Sequence, residues 1–292
     1  WIGDSIPIGA SKLTPAAFEH RFDRERTEGD ISITIVLNDT RMDEERDLVN
    51  RAYGDRDDLP FDVTVHRDAS VAELRELLAA DADFLHYIGH TETDGFECTD
   101  GKLDARTLDS TGIDSFLLNS CNSYEQGMAL VEAGAIGGIV TLNEVLNEGA
   151  VRVGEASARL LNAGFPLRAA LTIAREESVL GGQYIVVGDG GMTVTQPACL
   201  TPNLAMLNGG DSGYELELQT YVTDQTGLGS LYMPYMEEQN EYFLNSGSVG
   251  TFELDKQEVS QFLSLEEIPV RIDDELYWSS ALAADELDQK LF

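Results

Sequence analysis

Asp83-Phe84-Leu85-His86-Tyr87-Ile88-Gly89-His90 and Ser115-Phe116-Leu117-Leu118-Asn119-Ser120-Cys121 are the two stretches on which the fold of this 292-residue chain turns. Both are short, largely apolar runs, the pattern of strands in a parallel sheet covered on both faces. Each ends in a reactive side chain where a turn must begin. Parallel strands present functional groups at their C-terminal ends, so two neighbours of this kind would set His90 beside Cys121 at one sheet edge. A thiol with an imidazole in reach is a nucleophile with its base. Taken singly, a Cys after an apolar run is more often a small buried hydrophobe, and it is the joint pattern that points to chemistry. Asn122-Ser123 and a helical stretch follow Cys121, and a helix N-terminus near the sulfur favours the thiolate form.

Outward from these runs, strand-like and helix-like segments alternate between residues 30 and 191, which predicts an α/β domain with a mostly parallel sheet. Ile31 to Leu37 is a strand rich in β-branched residues, and Met42 to Tyr53 is amphipathic at helical spacing. Phe61 to His66 alternates as a strand. Ser70 and Glu73 form a capping box ahead of a helix whose apolar face carries Val71, Leu74, Leu77 and Leu78. The polar stretch Thr91 to Ser110, with Asp94-Gly95 and Asp100-Gly101, is expected as a hairpin-bearing loop beside His90. Beyond Cys121 come a helix from Tyr124 to Glu132, an apolar strand over Ala135 to Val140 and a helix from Asn147 to Asn162 that Gly164 ends. Pro166 restarts a helix to Ser178, and Tyr184 to Val187 is a sixth strand. The expected organisation is an N-terminal segment over 1–29, the α/β domain over 30–191 and a β-rich region over 192–292 with one helix near Lys256 to Phe262.

Composition narrows the function. Apolar residues make up 42% of the chain, enough for a proper core. Acidic residues outnumber basic ones 53 to 19, for a formal charge of −34, and they are spread along the chain rather than gathered in a tail. Only Lys12, Lys102, Lys256 and Lys290 are lysines. This combination resembles proteins of extreme halophiles, including archaeal ones, in which concentrated salt screens self-repulsion. Such a charge argues against nonspecific binding to nucleic acid or anionic membranes, which depends on Lys/Arg patches. No run approaches the roughly 20 apolar residues of a membrane span, and no signal peptide opens the sequence, so a soluble, cytoplasmic chain is expected. Cys98, Cys121 and Cys199 are an odd number without Cys-x-x-Cys spacing, which suits a reducing compartment. Gly188-Asp189-Gly190-Gly191 lacks the Lys-Ser/Thr of a phosphate loop, and no His-Glu-x-x-His occurs, so neither a cofactor nor a metal is expected. The chain opens at Trp1 without an initiating Met, so a segment of a longer protein or an ordered remainder is expected, with an upstream domain or regulatory partner as an expected partner.

The residues at the two strand ends resemble those of the CHAT domain, a caspase-like cysteine peptidase family. Leu85-His86-Tyr87-Ile88-Gly89-His90 matches its apolar-His-x-x-Gly-His motif, and Leu118-Asn119-Ser120-Cys121-Asn122-Ser123 its apolar-x-x-Cys-x-Ser/Thr motif. Ala133-Gly134-Ala135 and Ile136 to Val140 are similar to the turn and strand that follow in the family. The resemblance covers residues 30–190 and implies a caspase-like three-layer sandwich. It implies Cys121 as nucleophile, His90 as general base or acid, and backbone N–H groups of Gly89, Thr91 and Cys121 as oxyanion donors. His86 would be structural. Two positions depart from the pattern: Thr91 stands where the family usually has Gly, and Asn143 where it often has Trp. The resemblance also places Asn38, Asp39, Arg41 and Asn119 at the substrate pocket. Arg41 would favour an acidic residue before the cleaved bond, and Asp39 or Asp43 a basic one. The implied activity is cleavage of a protein or peptide partner; the competing reading is a catalytically inactive caspase-like interaction module.

The charge has a direct consequence. The Debye length shrinks from about 30 Å at 0.01 M salt to about 3 Å at 1 M. The Tm should therefore climb by several degrees as KCl is raised from dilute to molar in a melting series. A Tm indifferent to salt would remove the halophile resemblance.

Overall fold

A computed structural model describes residues 11–24, 29–38, 53, 56, 59–145, 147–198, 201–210, 213–223, 225–236, 240–245, 247–282, 287 and 290–291. The predicted helix over 42–53 therefore lies outside the described residues, apart from Tyr53. The chain divides into two units, residues 1–162 with 166–195, and 163–165 with 196–292.

The first unit is built on a six-stranded sheet. Its strands are β1 (Ile31–Leu37), β2 (Phe61–Arg67), β3 (Ala82–Ile88), β7 (Ile113–Asn119), β8 (Gly137–Thr141) and β9 (Tyr184–Gly188), in the order β2-β1-β3-β7-β8-β9. All neighbours are parallel except β8 and β9. β3 and β8 are buried along their whole length, as expected of parallel strands covered on both faces. On one face lie α1 (Pro15–Asp23), α2 (Val71–Ala79) and α3 (Tyr124–Glu132), where Ala17, Leu74, Leu78, Leu130 and Val131 share a core with Leu85, Tyr87, Phe116 and Val140. The other face is covered by α4 (Asn147–Asn162) and α5 (Leu167–Ala174), where Asn119 of β7 donates to the Ala150 carbonyl of α4. A side chain at Gly138 would meet the buried ring of Phe116 at 2.2 Å, so glycine lets that ring fill the layer.

Ion pairs fix the N-terminal edge of the sheet. Arg24 reaches Asp83 at 3.0 Å and Asp114 at 2.6 Å, tying α1 to the starts of β3 and β7. Asp83 also accepts from the N–H and hydroxyl of Ser32 at the start of β1. Asp189, in the turn expected after β9, pairs with Arg21 and accepts from Gly191 N. The helix at the chain's start is thus part of the first unit.

The second unit carries β10 (Asn203–Gly209), β11 (Tyr214–Thr220), β14 (Gly247–Leu254), β15 (Pro269–Ile272) and β16 (Glu275–Trp278) in the order β14-β11-β10-β15-β16. A ribbon of β12 (Leu231–Tyr232) and β13 (Phe243–Leu244) stands apart from that sheet. β11 alternates, with Tyr214, Leu216, Leu218 and Thr220 inward. α6 (Lys256–Leu263), opened by an Asp255/Glu258 capping box, packs Val259 and Phe262 into the same core.

His86 is fully buried in β3, with Nδ1 3.2 Å from the Tyr53 hydroxyl, and burial pushes it down to about 3. Above pH 6.5 the imidazole is neutral in both states and adds nothing to the pH dependence. Below it the unfolded chain binds a proton that the folded chain refuses until about pH 3, so stability is lost as pH falls through that window, by up to about 1.4 kcal/mol per pH unit. Asp114 acts oppositely: burial, outweighing Arg24, raises it to about 6, so stability falls as pH rises from 3.8 towards 6. In His86→Leu the difference in urea unfolding free energy between pH 6.5 and pH 4.5 should shrink or change sign. An unchanged difference would mean that His86 is not held neutral.

Candidate active site

β3 and β7 pair in parallel with Ile88 opposite Asn119. Two residues beyond that pair along each chain stand His90 and Cys121, so both follow the same edge of the sheet, past strands paired at the roughly 4.8 Å spacing of a ladder. Their chain neighbours join directly: Thr91 Oγ1 and Ser120 Oγ share a buried hydrogen bond of 2.7 Å. Thr91 is only 2% exposed. Its side chain rivets the turn after β3 to the turn after β7.

The hairpin-bearing stretch expected after His90 is a compact three-stranded sheet: β4 (Thr91–Glu92), β5 (Gly95–Cys98) and β6 (Gly101–Leu103). Glu97 N donates to His90 O at 2.9 Å, which makes that pair hydrogen-bonded. Thr91, opposite Phe96, is then a non-bonded position whose N–H faces away from β5. The Tyr87 hydroxyl lies 3.1 Å from His90 O and 3.0 Å from Glu97 O, with its ring edge-on to Phe96. That phenol crosses Gly89, where an added Cβ would sit 2.7 Å from the hydroxyl oxygen. The glycine of the histidine motif is thus required by the tyrosine two residues before it. Gln126 of α3, fully buried, accepts from Ala105 N at 2.7 Å and donates to Thr93 O at 3.2 Å, fastening the small sheet to the helix that follows Cys121. On its outer side Lys102 holds Glu92 and Asp94.

Cys121 sits in a strand–turn–helix elbow. Asn122 takes φ +51°, in the left-handed region that Asn tolerates, and Ser123 then stands at the N-cap position of α3, its hydroxyl turned to Leu118 O and Thr141 instead of to the helix. Thr141, at the end of β8, is the hub beneath this turn. Its hydroxyl donates to Ser120 O and accepts from Ser123 N at 3.3 Å, and its own N–H donates to Ser123 Oγ at 2.9 Å. The thiol itself is half-buried. Val145 N donates to Cys121 Sγ at 3.4 Å, and Sγ lies 3.7 Å from Val145 O. The same loop accepts Asn122 N through Asn143 O at 3.3 Å, and the Asn143 amide donates to Gln183 at 2.7 Å.

The four residues expected at a substrate pocket separate into two groups. Asp39 and Arg41 lie outside the described residues. Asn119 is 1% exposed and donates to Ala150 O at 3.1 Å while accepting the Tyr184 hydroxyl at 2.7 Å. Asn38 accepts from Ala69 N at 2.8 Å and donates to Glu97 O at 3.1 Å. Both amides brace the scaffold from within. Cys98 is the other described thiol, and burial, helped by Asp100, pushes it up to about 11. Among the described residues no group of His, Cys, Asp or Glu is placed to hold a metal ion, and no helix is long and apolar enough to cross a membrane.

Sequence reasoning missed Thr141, Val145, Tyr87 and Gln126. Thr141 had a usable signal, being the lone polar residue ending an apolar strand, the same cue that singled out His90 and Cys121. Val145 acts through its backbone and leaves no trace in residue type.

Among solved structures the chain is similar to a protease at 10% identity, covering 82% of this chain and 65% of that one, with a TM-score of 0.50. It is also similar to gingipain R (RgpB), the Arg-specific cysteine proteinase of Porphyromonas gingivalis, at 9% identity over 82% of this chain and 66% of that one, TM-score 0.48. Separase of Saccharomyces cerevisiae, in its complex with securin, matches at 12% identity over 59% of this chain and 13% of that one, TM-score 0.46. The first of these is a likeness of fold, and it accords with the mixed α/β class and its mainly parallel sheet. No family model and no curated protein matches the sequence, so the CHAT resemblance stands on its two motifs.

The Gly89–Tyr87 contact is testable. Gly89→Ala should cost about 1–3 kcal/mol by overpacking. In urea unfolding, part of that cost should vanish when combined with Tyr87→Leu, because the two residues touch. Full additivity would show that the ring does not govern this position.

Proposed function

We propose that the chain is a caspase-like cysteine peptidase of CHAT type that cleaves a protein or peptide partner. The observation that carries this reading is the parallel pairing of β3 with β7, in register at Ile88 and Asn119 and fastened by the Thr91–Ser120 hydrogen bond. His90 is the general base: it takes the Cys121 proton as the sulfur attacks a peptide carbonyl, then returns it to the leaving amine. Backbone N–H groups of Gly89, Thr91 and Cys121 are the proposed donors to the oxyanion, and the outward turn of the Thr91 N–H supports its part. Asp39 and Arg41 remain the candidates for recognising the side chain before the cleaved bond. Asn38 and Asn119 hold the walls of the site through their internal hydrogen bonds. Free thiols at Cys98 and Cys121 suit a reducing, cytoplasmic setting. The inactive interaction module has one observation in its favour: the Val145 backbone already lies on the sulfur.

Timed alkylation with iodoacetamide, read by mass spectrometry in molar salt, separates the two. Cys121 should label well ahead of Cys98, whose thiolate fraction near pH 7 is only about 10⁻⁴ when its pKa stands at about 11. His90→Ala should slow Cys121 labelling at least tenfold and lower peptide cleavage by about 10²–10⁴. Equal labelling of the two thiols, or indifference to His90, would favour the inactive module.

A further inference from the structure

The second unit exposes apolar side chains in one place. Leu231 and Leu244 face each other across the β12–β13 ribbon, 61% and 68% exposed. Tyr235 and Tyr242 nearby are 73% and 66% exposed, and Leu265 beyond the end of α6 is 49% exposed. Isolated exposed hydrophobics need no explanation, but a gathered set bordering a cavity marks an interaction surface. Here a cavity of about 500 Å³ runs between Leu231, Met233, Tyr235, Tyr242, Phe262 and Leu265. A second, of about 390 Å³, shares Met233, Tyr235 and Phe262 with it and continues past Met236. The two adjoin at those shared residues and together offer a groove walled by aromatic rings with large rigid contact area and by methionines that adapt to shape.

Charge says what the groove would accept. Among the described residues its acidic lining side chains are Glu258 and Glu266, one along each part of the groove, and no Lys or Arg lines it. Over residues 196–292 the sequence has only Lys256, Arg271 and Lys290 as basic residues, and Lys290 lies over the Tyr277 ring at 3.9 Å. A second copy would set Glu258 and Glu266 against themselves in a chain of formal charge −34. An apolar segment flanked by Lys or Arg would instead fill the walls and neutralise the rim.

We infer that this groove docks a segment of a partner protein that carries large apolar side chains flanked by basic residues. The inference is independent of the Cys121 chemistry.

The test uses the full chain as Cys121→Ala, so that no peptide is consumed, with three fluorescein-labelled 16-residue peptides followed by anisotropy in a salt that keeps the chain folded. One alternates Leu and Trp with Lys, one replaces its Lys by Glu, and one replaces its Leu and Trp by Ser. The first should bind at least tenfold more tightly than either of the others. Leu231→Ser and Tyr235→Ser, exposed positions whose variants are checked by melting, should each weaken it at least fivefold, and Val179→Ser, fully exposed in the first unit, should not. Equal binding of the Lys and Glu peptides, or binding untouched by the groove variants, would overturn the proposal. So would a concentration-dependent dimer in light scattering that Leu231→Asp abolishes, since that would make the occupant a second copy.

Discussion

The parallel pairing of β3 with β7 is the constraint on which the candidate site depends. A parallel ladder fixes both register and direction, so setting Ile88 opposite Asn119 determines where the chain emerges two residues later. Register in a sheet buried on both faces is strongly specified, because a one-residue slip would send Leu85 and Tyr87, which share a core with α2 and α3, to the opposite face. The Thr91–Ser120 hydrogen bond then closes the edge beyond the last ladder bond. Arg24 does the corresponding work at the other end of the same strands, joining Asp83 and Asp114. The two central strands are held at both ends by side chains and along their length by the ladder.

Around that pair, the turns are held mainly by buried polar side chains acting on backbone groups. Thr141, Ser123, Tyr87, Gln126, Asn38 and Asn119 each place a hydroxyl or amide group on a main-chain atom. Such networks are costly when half satisfied and rigid when complete. Here they fix the backbone on both sides of His90 and Cys121.

The sequence disclosed whatever was local or periodic. The capping box at Ser70 and Glu73, the apolar face of α2, the strand ends at His90 and Cys121 and the left-handed Gly164 after α4 all leave a signature within a few residues. The stretch after His90 was legible only as turns, because strands of two to four residues are too short to show a period of two. Asn38 and Asn119 were placed at a pocket by the family resemblance, which carries over a position and not whether a partner 31 or 65 residues away engages the side chain. The groove of the second unit was equally hidden. Its walls come from the ribbon, the segment between its strands and the region around α6, which share no periodic pattern.

The Val145 backbone on Cys121 turns the loop after β8 into a thermodynamic competitor for the sulfur. Anything that must reach Sγ through this loop binds only the fraction of molecules in which the contact is broken, and its apparent affinity is reduced by that fraction. The toll is set by this one loop, whose two nearest anchors are a side-chain pair, Asn143 to Gln183, and a single main-chain bond from Asn122. Sequence change there would retune occupancy of the sulfur without altering the sheet, the imidazole or the thiol.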